Sequence, residues 1–333
     1  KDEVWQLFAA ACGRRNDAAT ASLLWLLQQA GLEATRKLLF SLSERRAEWH
    51  AYAGEGETAP ARALAGLREC LGVGETPAAV DGLLADELFM HKLREYAGIL
   101  ARSELDGDLK VAARLEAAFA GADCGTRFDL IADTLLTKEG ALRKRKESKE
   151  ANKRFGAAAA RLIELHAQLG ERVLAARDAR REEQAYELNA HVFTAGAAWM
   201  AALEQYKRER RLMDFADLEW HVSRMLADEP RAAFLQERLD ARYKHILLDE
   251  FQDTNPLQWQ ILLAWLAAYG GGDAVRPRVF VVGDPKQSIY RFRRAEPRVF
   301  DCAAAFLQAE YGAPMLANDT TRRNAPRLIE VVN

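Results

Sequence analysis

The sequence predicts a mixed fold: a large all-helical region, residues 1–210, is followed by an α/β region, residues 211–333, that contains part of a doubly wound parallel sheet. The first region repeats amphipathic helical patterns with few β-branched residues. The second contains two short runs rich in Ile, Leu and Val, "HILLD" and "RVFVVGD", each ending in an acidic residue. Such runs are typical of parallel strands that helices cover on both faces. With 333 residues, the chain is long enough for two domains.

Start and stop signals mark the helices of the first region. The run "NDAATASLLWLLQQAG" opens with Asn and Asp and closes on Gly31, a typical helix end. The run "TPAAVDGLLADELFMHKLREYAGIL" opens with Thr76 as N-cap and Pro77 at the first helical position. A further long helix is predicted from about Ala157 to Arg210. These patterns predict a region built of helices.

A strand–helix–strand unit is predicted in the second region, because "PLQWQILLAWLAAYG" and the loop "GGGDAVRP" separate the two apolar runs. Ligands of doubly wound sheets gather at the carboxyl ends of the strands, so Asp249, Glu250, Gly283 and Asp284 are expected at the binding edge. Two strands are too few for such a sheet, and both chain ends interrupt regular patterns. We therefore expect the chain to be a piece of a longer protein.

Composition restricts the class of protein only weakly. The net charge of −2 does not indicate a nucleic-acid-binding protein, but it does not exclude one, because acidic surface elsewhere can balance a basic face. The four cysteines lie far apart without a C-x-x-C pair, which predicts a reduced, cytoplasmic protein without a zinc site or disulfide framework. No apolar run reaches membrane-spanning length, so no membrane partner is expected.

The acidic pair that follows "HILL" has two interpretations. Asp249 and Glu250 could cap the next helix, where free amides and the helix dipole stabilise a negative charge. They could also serve nucleotide hydrolysis, in which one carboxylate holds Mg²⁺ and a second positions or deprotonates the attacking water. Neighbouring strand residues point in opposite directions, so the chain would have to turn at the strand end to direct both at one phosphate.

The segment "VFVVGDPKQSIYRFRRAEP" (279–297) adds polar, aromatic and cationic side chains. Gln287 is a neutral donor and acceptor suited to sensing a terminal phosphate. Tyr290 and Phe292 would face one side of an extended segment, with cations between and after them, as in a platform for single-stranded nucleic acid. They could equally be core aromatics beside a solvated basic face. The cations are Arg291, Arg293 and Arg294.

Four segments carry a resemblance to a known family. In chain order they are "LMDFADLEWHVSRML" (212–226), "LLDEFQDTNPLQ", "GDPKQSIYRFRRAEP" and "TTRRNAPRLIEVVN" (320–333). They resemble the DFxDL segment and motifs II, III and IV of superfamily 1A DNA helicases of the UvrD/Rep type. The resemblance implies a partial P-loop NTPase (RecA-like) sheet and a helicase that uses ATP and Mg²⁺.

The resemblance implies roles for the polar residues. Asp249 corresponds to the aspartate associated with Mg²⁺, and Glu250 to the catalytic glutamate that activates water beside the metal. Gln287 corresponds to the motif III glutamine at the γ-phosphate, and Arg323 to the motif IV arginine at the same phosphate.

Further residues are assigned to nucleotide and DNA binding. Gln252 corresponds to a polar position that links motif II to its neighbours, and Asp284 ends the second strand; both are assigned to the nucleotide site. The aromatic positions of the family stack on single-stranded bases, and the interleaved cations contact the backbone. The DNA-binding residues are then Tyr290, Phe292, Arg291 and Arg293.

The phosphate-binding loop G-x-x-x-x-G-K-[ST] does not occur in the sequence. In the family that loop precedes all the motifs found here, so residues 1–210 resemble subdomain 1B and residues 211–333 the distal part of motor domain 1A. We therefore expect this chain alone to hold no nucleotide and to hydrolyse no ATP.

Among helicases, the first region and "FDLIADTLLTKEGALRKRKESKEANKRFG" most resemble the helicase–nuclease subunits of the AddA type, followed by the RecB type. This implies 3′-to-5′ translocation on single-stranded DNA, duplex unwinding in double-strand-break repair, and a partner subunit of the AddB or RecC type. The basic run 143–154 is either a solvated face or a phosphate contact. Two alternatives stay open: a non-enzymatic helicase-like subunit that binds DNA or a partner, and a UvrD-type repair helicase without a nuclease domain.

Overall fold

The structure, a computed structural model, describes residues 1–74, 79–121, 123–145, 153–267 and 276–317. It divides into two compact units. The first unit comprises Lys1–Phe40 and Glu55–Ala202, and the second comprises Ser41–Gly54 and the described residues from Leu203 onward.

Helices make up almost all the regular structure before residue 245. They are α1 (Asp2–Cys12), α2 (Ala18–Glu44), α3 (Arg46–Ala53), α4 (Ala59–Leu71), α5 (Ala79–Ala85), α6 (Glu87–Leu100), α7 (Asp106–Ala120), α8 (Cys124–Leu135), α9 (Ala159–Arg210), α10 (Phe215–Ala227) and α11 (Glu229–Arg242). Strand β1 (His245–Leu248), α12 (Pro256–Ala267), strand β2 (Arg278–Val281) and α13 (Arg298–Tyr311) follow. Within the described ranges, no helix has the length and apolar content needed to cross a membrane.

The predicted helix boundaries are partly confirmed. Gly31 interrupts α2 with φ of 79°, a left-handed conformation that only glycine adopts readily. The long predicted helix is α9. The single helix predicted after Thr76 is wrong, because Asp86 accepts hydrogen bonds from the amides of Leu88 and Phe89 and starts a new helix, α6. Thr76 and Pro77 themselves lie outside the described residues.

The core of the first unit lies where α5–α8 pack against the first half of α9. On α9, Leu162, Leu165, Leu169 and Val173 recur every three or four residues and are at most 1% exposed. This spacing places them on one face of the helix, so the helical pattern of the sequence determines which side is buried.

Helix α3 groups with the second unit, although it was predicted to belong to the helical region 1–210. Apolar packing and ion pairs both join α3 to this unit, since buried Ala47 lies in one cluster with Ala216 and Leu257. Arg46 pairs with Asp217 at 2.7 Å, and Glu48 pairs with Arg294 at 2.8 Å. The assignment of the regions to helicase subdomains stays a prediction.

The predicted strand–helix–strand unit is confirmed. β1 and β2 pair in parallel, with Ile246 beside Val279, and α12 lies between them in sequence. The prediction that both faces are buried is wrong. Ile246 is 8% exposed, whereas Leu247 is 73% and Phe280 54% exposed. Among the described residues, α12 and α13 pack against the Leu248 side only, which leaves the opposite face open.

Candidate functional site at the strand ends

The chain turns sharply where β1 ends. Asp249 and Glu250 are both exposed, and Glu250 has φ of 50° and ψ of 41°, a left-handed conformation. A non-glycine residue in this region stores strain of about 1–3 kcal/mol, and such residues concentrate at functional sites. The next amide, of Phe251, donates to Val282 O at 3.0 Å and holds the turn against the end of β2. The turn thus supplies the change of direction that a strand-end acid pair requires.

Gln252 joins the two strand ends. Its side chain is buried, at 2% exposure. Its Nε2 donates to Glu250 Oε2 at 2.6 Å, and its Oε1 accepts from the amide of Asp284 at 3.0 Å. Ser288 Oγ donates to the carbonyl of Gln252 at 3.1 Å. The expected link between motif II and its neighbours is therefore present as hydrogen bonds on three sides of one residue.

Gly283 permits this junction. A Cβ at this position would lie 2.5 Å from Gln252 Oε1, which is closer than real contacts allow, and a tight 3.1 Å from the Phe251 amide nitrogen. The sequence places Gly283 at the binding edge, but the close approach of Gln252 is visible only in the structure.

Asp284 orders the turn that carries Gln287. Its Oδ1 accepts from the Lys286 amide at 3.0 Å, and its Oδ2 accepts from Gln287 Nε2 at 2.9 Å. These bonds, first that from Gln287, lower the pKa of Asp284. Glu250, Gln252, Asp284 and Gln287 therefore form one continuous series of contacts, which we name the strand-end relay.

The two aromatic rings lie together beyond the relay. The Tyr290 and Phe292 centroids are 5.6 Å apart, and the Arg293 guanidinium lies over both rings, at 5.0 and 5.6 Å. Phe292 is 76% exposed, which rules out a core role for this ring. The predicted extended conformation is wrong, because the amide of Arg293 donates to Tyr290 O at 2.8 Å and closes a 3₁₀ turn over Arg291–Arg293. The turn still brings the rings together.

Arg294 does not belong to this basic surface, contrary to the sequence analysis. It adopts a left-handed φ of 73° and donates to Glu48 and Glu219, each at 2.8 Å. Burial alone would lower the pKa of Arg294, but the two carboxylates raise it. Asn255, the N-cap of α12, donates to the same Glu219 at 3.2 Å. This network was not predicted from the sequence, where its only local signal is the capping spacing of Asn255 and Gln258.

The sequence profile of the UvrD/REP helicase N-terminal domain matches residues 99–306, more than half of the chain. The chain belongs to the UvrD/REP helicase family. This confirms the family predicted from the four motifs.

Relatives of the UvrD/REP chain are named as the A subunit of an ATP-dependent helicase/nuclease. The protein of Natranaerobius thermophilus is 37% identical over 131 residues, 39% of this chain and 10% of that protein. The protein of Desulfitobacterium hafniense is 35% identical over 136 residues, with the same shares. The protein of Ligilactobacillus salivarius is 42% identical over 101 residues, 30% of this chain and 8% of that protein. The chain thus spans about a tenth of their length, and the names agree with the predicted likeness to AddA-type subunits.

The DFxDL segment of this UvrD/REP chain forms a capping box. Asp214 accepts from the Asp217 amide, and Asp217 accepts from the Asp214 amide, at the start of α10. Arg46 and Lys207 ion-pair with both carboxylates. Burial alone would raise the pKa of Asp217, but the bonds from Lys207, the Asp214 amide and Arg46 lower it to about 2. The segment is therefore a structural clamp on α10.

The ligand types at the UvrD/REP strand ends fit Mg²⁺ and a triphosphate. Among the described residues, no three His, Cys, Asp or Glu side chains are grouped to hold a metal ion. Mg²⁺ needs no such cage, because one or two carboxylates suffice with water and phosphate oxygens. Asp249 and Glu250 provide that number, and nearby Asp253 Oδ1 is buried without a hydrogen-bond donor. Arg323, the expected γ-phosphate arginine, lies outside the described residues.

Proposed function

We propose that this chain is part of the motor of an ATP-dependent 3′-to-5′ DNA helicase of the AddA type. The intact protein would unwind duplex DNA during double-strand-break repair in the cytoplasm, with a partner subunit of the AddB or RecC type. The observation that carries the proposal is the strand-end relay, which links an exposed acid pair after one strand to an exposed glutamine after the next. The relatives, which are named as helicase/nuclease proteins, support the same type.

In this function Asp249 would hold Mg²⁺, which when bound neutralises charge on the phosphates. Glu250 would accept the proton of the attacking water. Its exposed carboxylate and the bond from Gln252 Nε2 keep one oxygen fixed and leave the other accessible. Gln287 would contact the terminal phosphate, because its side chain is exposed and Asp284 orients it.

Single-stranded DNA would bind on the ring pair formed by Tyr290 and Phe292. The exposed Phe292 ring gives a face for base stacking, and the exposed Arg291 and Arg293 give cations for phosphates. Tyr290 follows Gln287 by three residues, and Ser288 between them bonds to Gln252. A change at the phosphate side would thus be transmitted to the rings through a short stretch of chain.

Glu250→Gln in the full-length protein tests the proposal. We expect single-strand-stimulated ATP hydrolysis to fall by about 10²–10⁴-fold, because the amide cannot accept the proton of the attacking water. DNA affinity should stay unchanged, since the rings are untouched. Glu237→Gln, at an exposed position of α11, is the matched control and should leave the rate unchanged.

Undiminished turnover in Glu250→Gln would contradict the assignment of the base and favour a helicase-like subunit that only binds DNA. The 333-residue chain provides a second check. Because no phosphate-binding loop motif occurs in it, we expect the isolated chain not to hydrolyse ATP. Turnover by the purified chain would contradict the proposed dependence on that loop.

A further inference from the structure

A cavity of about 520 Å³ lies in the first unit, beside the hairpin that follows α8. Side chains of α6, α7, α8 and α9 and of the segment after the hairpin line it. Its wall carries four permanent cations and one acid: Arg114, Arg143, Lys144, Arg145 and Asp133. Three of the cations, Arg143, Lys144 and Arg145, begin the basic run 143–154. Residues 146–152 of that run lie outside the described residues.

The hairpin determines where the cations emerge. Leu136 and Leu142 pair in an antiparallel bridge, and the amide of Arg143 donates to Leu135 O at 2.8 Å. The Arg143 side chain donates to the carbonyl of Asp133 at 3.3 Å. The backbone at the start of the basic run is therefore fixed to the end of α8.

A buried pair of side chains also fixes the main chain at Arg143. Tyr96 and His166 are 1% and 5% exposed, and the Tyr96 hydroxyl lies 3.0 Å from His166 Nδ1. His166 Nε2 lies 2.5 Å from the carbonyl of Arg143. Burial lowers the pKa of His166, so the ring is neutral; Nε2–H donates to Arg143 O and Nδ1 accepts from Tyr96. The histidine thus positions the cationic segment.

The cations differ in whether a carboxylate of the protein already pairs with them. Arg145 is paired with the buried Asp108 at 3.1 Å, and Ser103 Oγ donates to the same carboxylate. Arg114 and Lys144 are exposed and form no ion pair within the described part of the chain. The cavity therefore presents at least two uncompensated positive charges beside a segment that is already ordered.

We propose that this cavity is a binding site for a phosphoryl group, with Arg114, Lys144 and Arg143 as its ligands. A guanidinium matches the oxygens of a phosphate with two parallel hydrogen bonds, and a lysine adds a point charge. The volume falls within the range of about 300–1,000 Å³ typical of small-molecule sites, so a diphosphate or a nucleotide phosphate fits. The phosphoryl group belongs either to a free phosphate compound or to nucleic acid.

Calorimetric titration of the 333-residue chain with sodium pyrophosphate at constant ionic strength tests the site. We expect saturable binding, and at least about a tenfold loss of affinity in the double variant Arg114→Gln/Lys144→Gln, because each cation contributes a charge-assisted hydrogen bond. The charge-retaining variant Arg114→Lys/Lys144→Arg should bind within a few fold of the unaltered chain. Both positions are exposed, so the variants should fold, which their thermal unfolding midpoints would verify.

Arg14→Gln/Lys37→Gln is the matched control, because it removes the same charge from exposed positions of the first unit that do not line the cavity.

Competition by a single-stranded oligonucleotide of about twelve nucleotides without a terminal phosphate identifies the source of the phosphoryl group. Displacement of pyrophosphate assigns the site to nucleic-acid phosphates, and no displacement assigns it to a free phosphate compound. The proposal is overturned if pyrophosphate does not bind saturably, or if the control loses as much affinity as the cavity variant. Neither the titration nor the competition measures ATP turnover, so failure of this proposal and failure of the proposed motor function can be told apart.

Discussion

Replacing Gln252 with glutamate should destabilise the junction between the strand ends while almost preserving side-chain volume. The change removes the Nε2 donor, which lies 2.6 Å from Glu250 Oε2, and puts a second carboxylate in its place. Loss of the donor alone costs about 1–3 kcal/mol. Two like charges about 4 Å apart repel by about 4 kcal/mol at an effective dielectric constant of about 20, and the side chain is only 2% exposed. The two contributions add to about 5–7 kcal/mol, but protonation of the introduced carboxyl limits the electrostatic cost at pH 7 to about 3.7 kcal/mol, which is about 1.36 kcal/mol for each pH unit above 4.3. We therefore expect destabilisation of about 3–5 kcal/mol at pH 7.

The penalty of Gln252→Glu should depend on pH. Repulsion and burial raise the folded-state pKa of the introduced carboxyl above its ordinary value of about 4.3. The penalty therefore grows as pH rises from the ordinary pKa toward the raised folded-state pKa, and it is lost as pH falls toward 4. Once protonated, the group can donate to Glu250, so the penalty should shrink to about 1 kcal/mol near pH 5.

Hydrogen exchange of the Phe251 amide measures this junction directly, because that amide donates to Val282 O. The free energy of opening, corrected for the intrinsic exchange rate at each pH, should show the loss in Gln252→Glu and not in Gln260→Glu. The control makes the same chemical change at an exposed position of α12. A penalty below about 0.5 kcal/mol, or one equal at pH 7 and pH 5, would refute the argument.

Two further predictions concern the ring pair and the clamp on α10. Phe292→Ala should weaken binding of single-stranded DNA by about tenfold or more, and Phe292→Trp should strengthen it, because stacking on an aromatic ring contributes about 1–3 kcal/mol per base; fluorescence anisotropy with a labelled oligonucleotide measures both. Asp217→Asn should lower the free energy of unfolding by about 2 kcal/mol at pH 7, as the native pKa of about 2 lies below the ordinary 3.8. The native carboxylate stabilises above pH 4, and this stabilisation is lost as pH falls toward 2, so urea unfolding curves of the two proteins should converge there.

Each of these variants has a distinguishing control. Phe234→Ala removes another exposed ring, on α11, and should leave DNA affinity unchanged; equal losses would show that Phe292 has no special role. For the clamp, Asp301→Asn alters an exposed first-turn acid of α13 and should produce a much smaller loss. A difference between Asp217→Asn and the unaltered chain that stays constant from pH 7 to pH 2 would disprove the contribution of the lowered pKa.

The sequence predicted the elements whose formation depends on neighbouring residues in the chain. The two strands and the helix between them are marked by side-chain type and run length, and a crossover through a helix joins neighbouring strands in parallel. The place of α3 was not predictable in this way. The contacts of α3 are all distant in sequence: Ala47 packs in one cluster with Ala216 and Leu257. Arg46 meets Asp217, 171 positions later, and Glu48 meets Arg294, 246 positions later. Nothing in the neighbourhood of either residue signals its partner.

The same distinction applies within the candidate site. Spacing by two residues suggested that Tyr290 and Phe292 face one side, and they do lie together, but through a turn and not an extended segment. The turn ends at Arg294, which has a left-handed conformation and pairs with Glu48 and Glu219. Arg294, which the sequence groups with the neighbouring arginines, thus ends the turn that carries the basic surface.

The bonds of the strand-end relay explain how the two halves of the site could move together. Gln252 accepts from the Asp284 amide through its side chain and from Ser288 Oγ through its own carbonyl, so main-chain atoms take part on both sides. The Val282 amide donates to Leu248 O and the Phe251 amide to Val282 O, which fixes the chain just before Gln252 and Asp284. The segment 284–288 therefore cannot shift against Gln252 without breaking one of the bonds of Gln252. From Ser288 to Tyr290 the chain spans at most about 7 Å, too short to absorb a displacement. A motion that starts at the carboxylates would then reach the rings or break the bonds of Gln252, and replacing Gln252 is therefore the most direct test of the proposed coupling between phosphate and DNA.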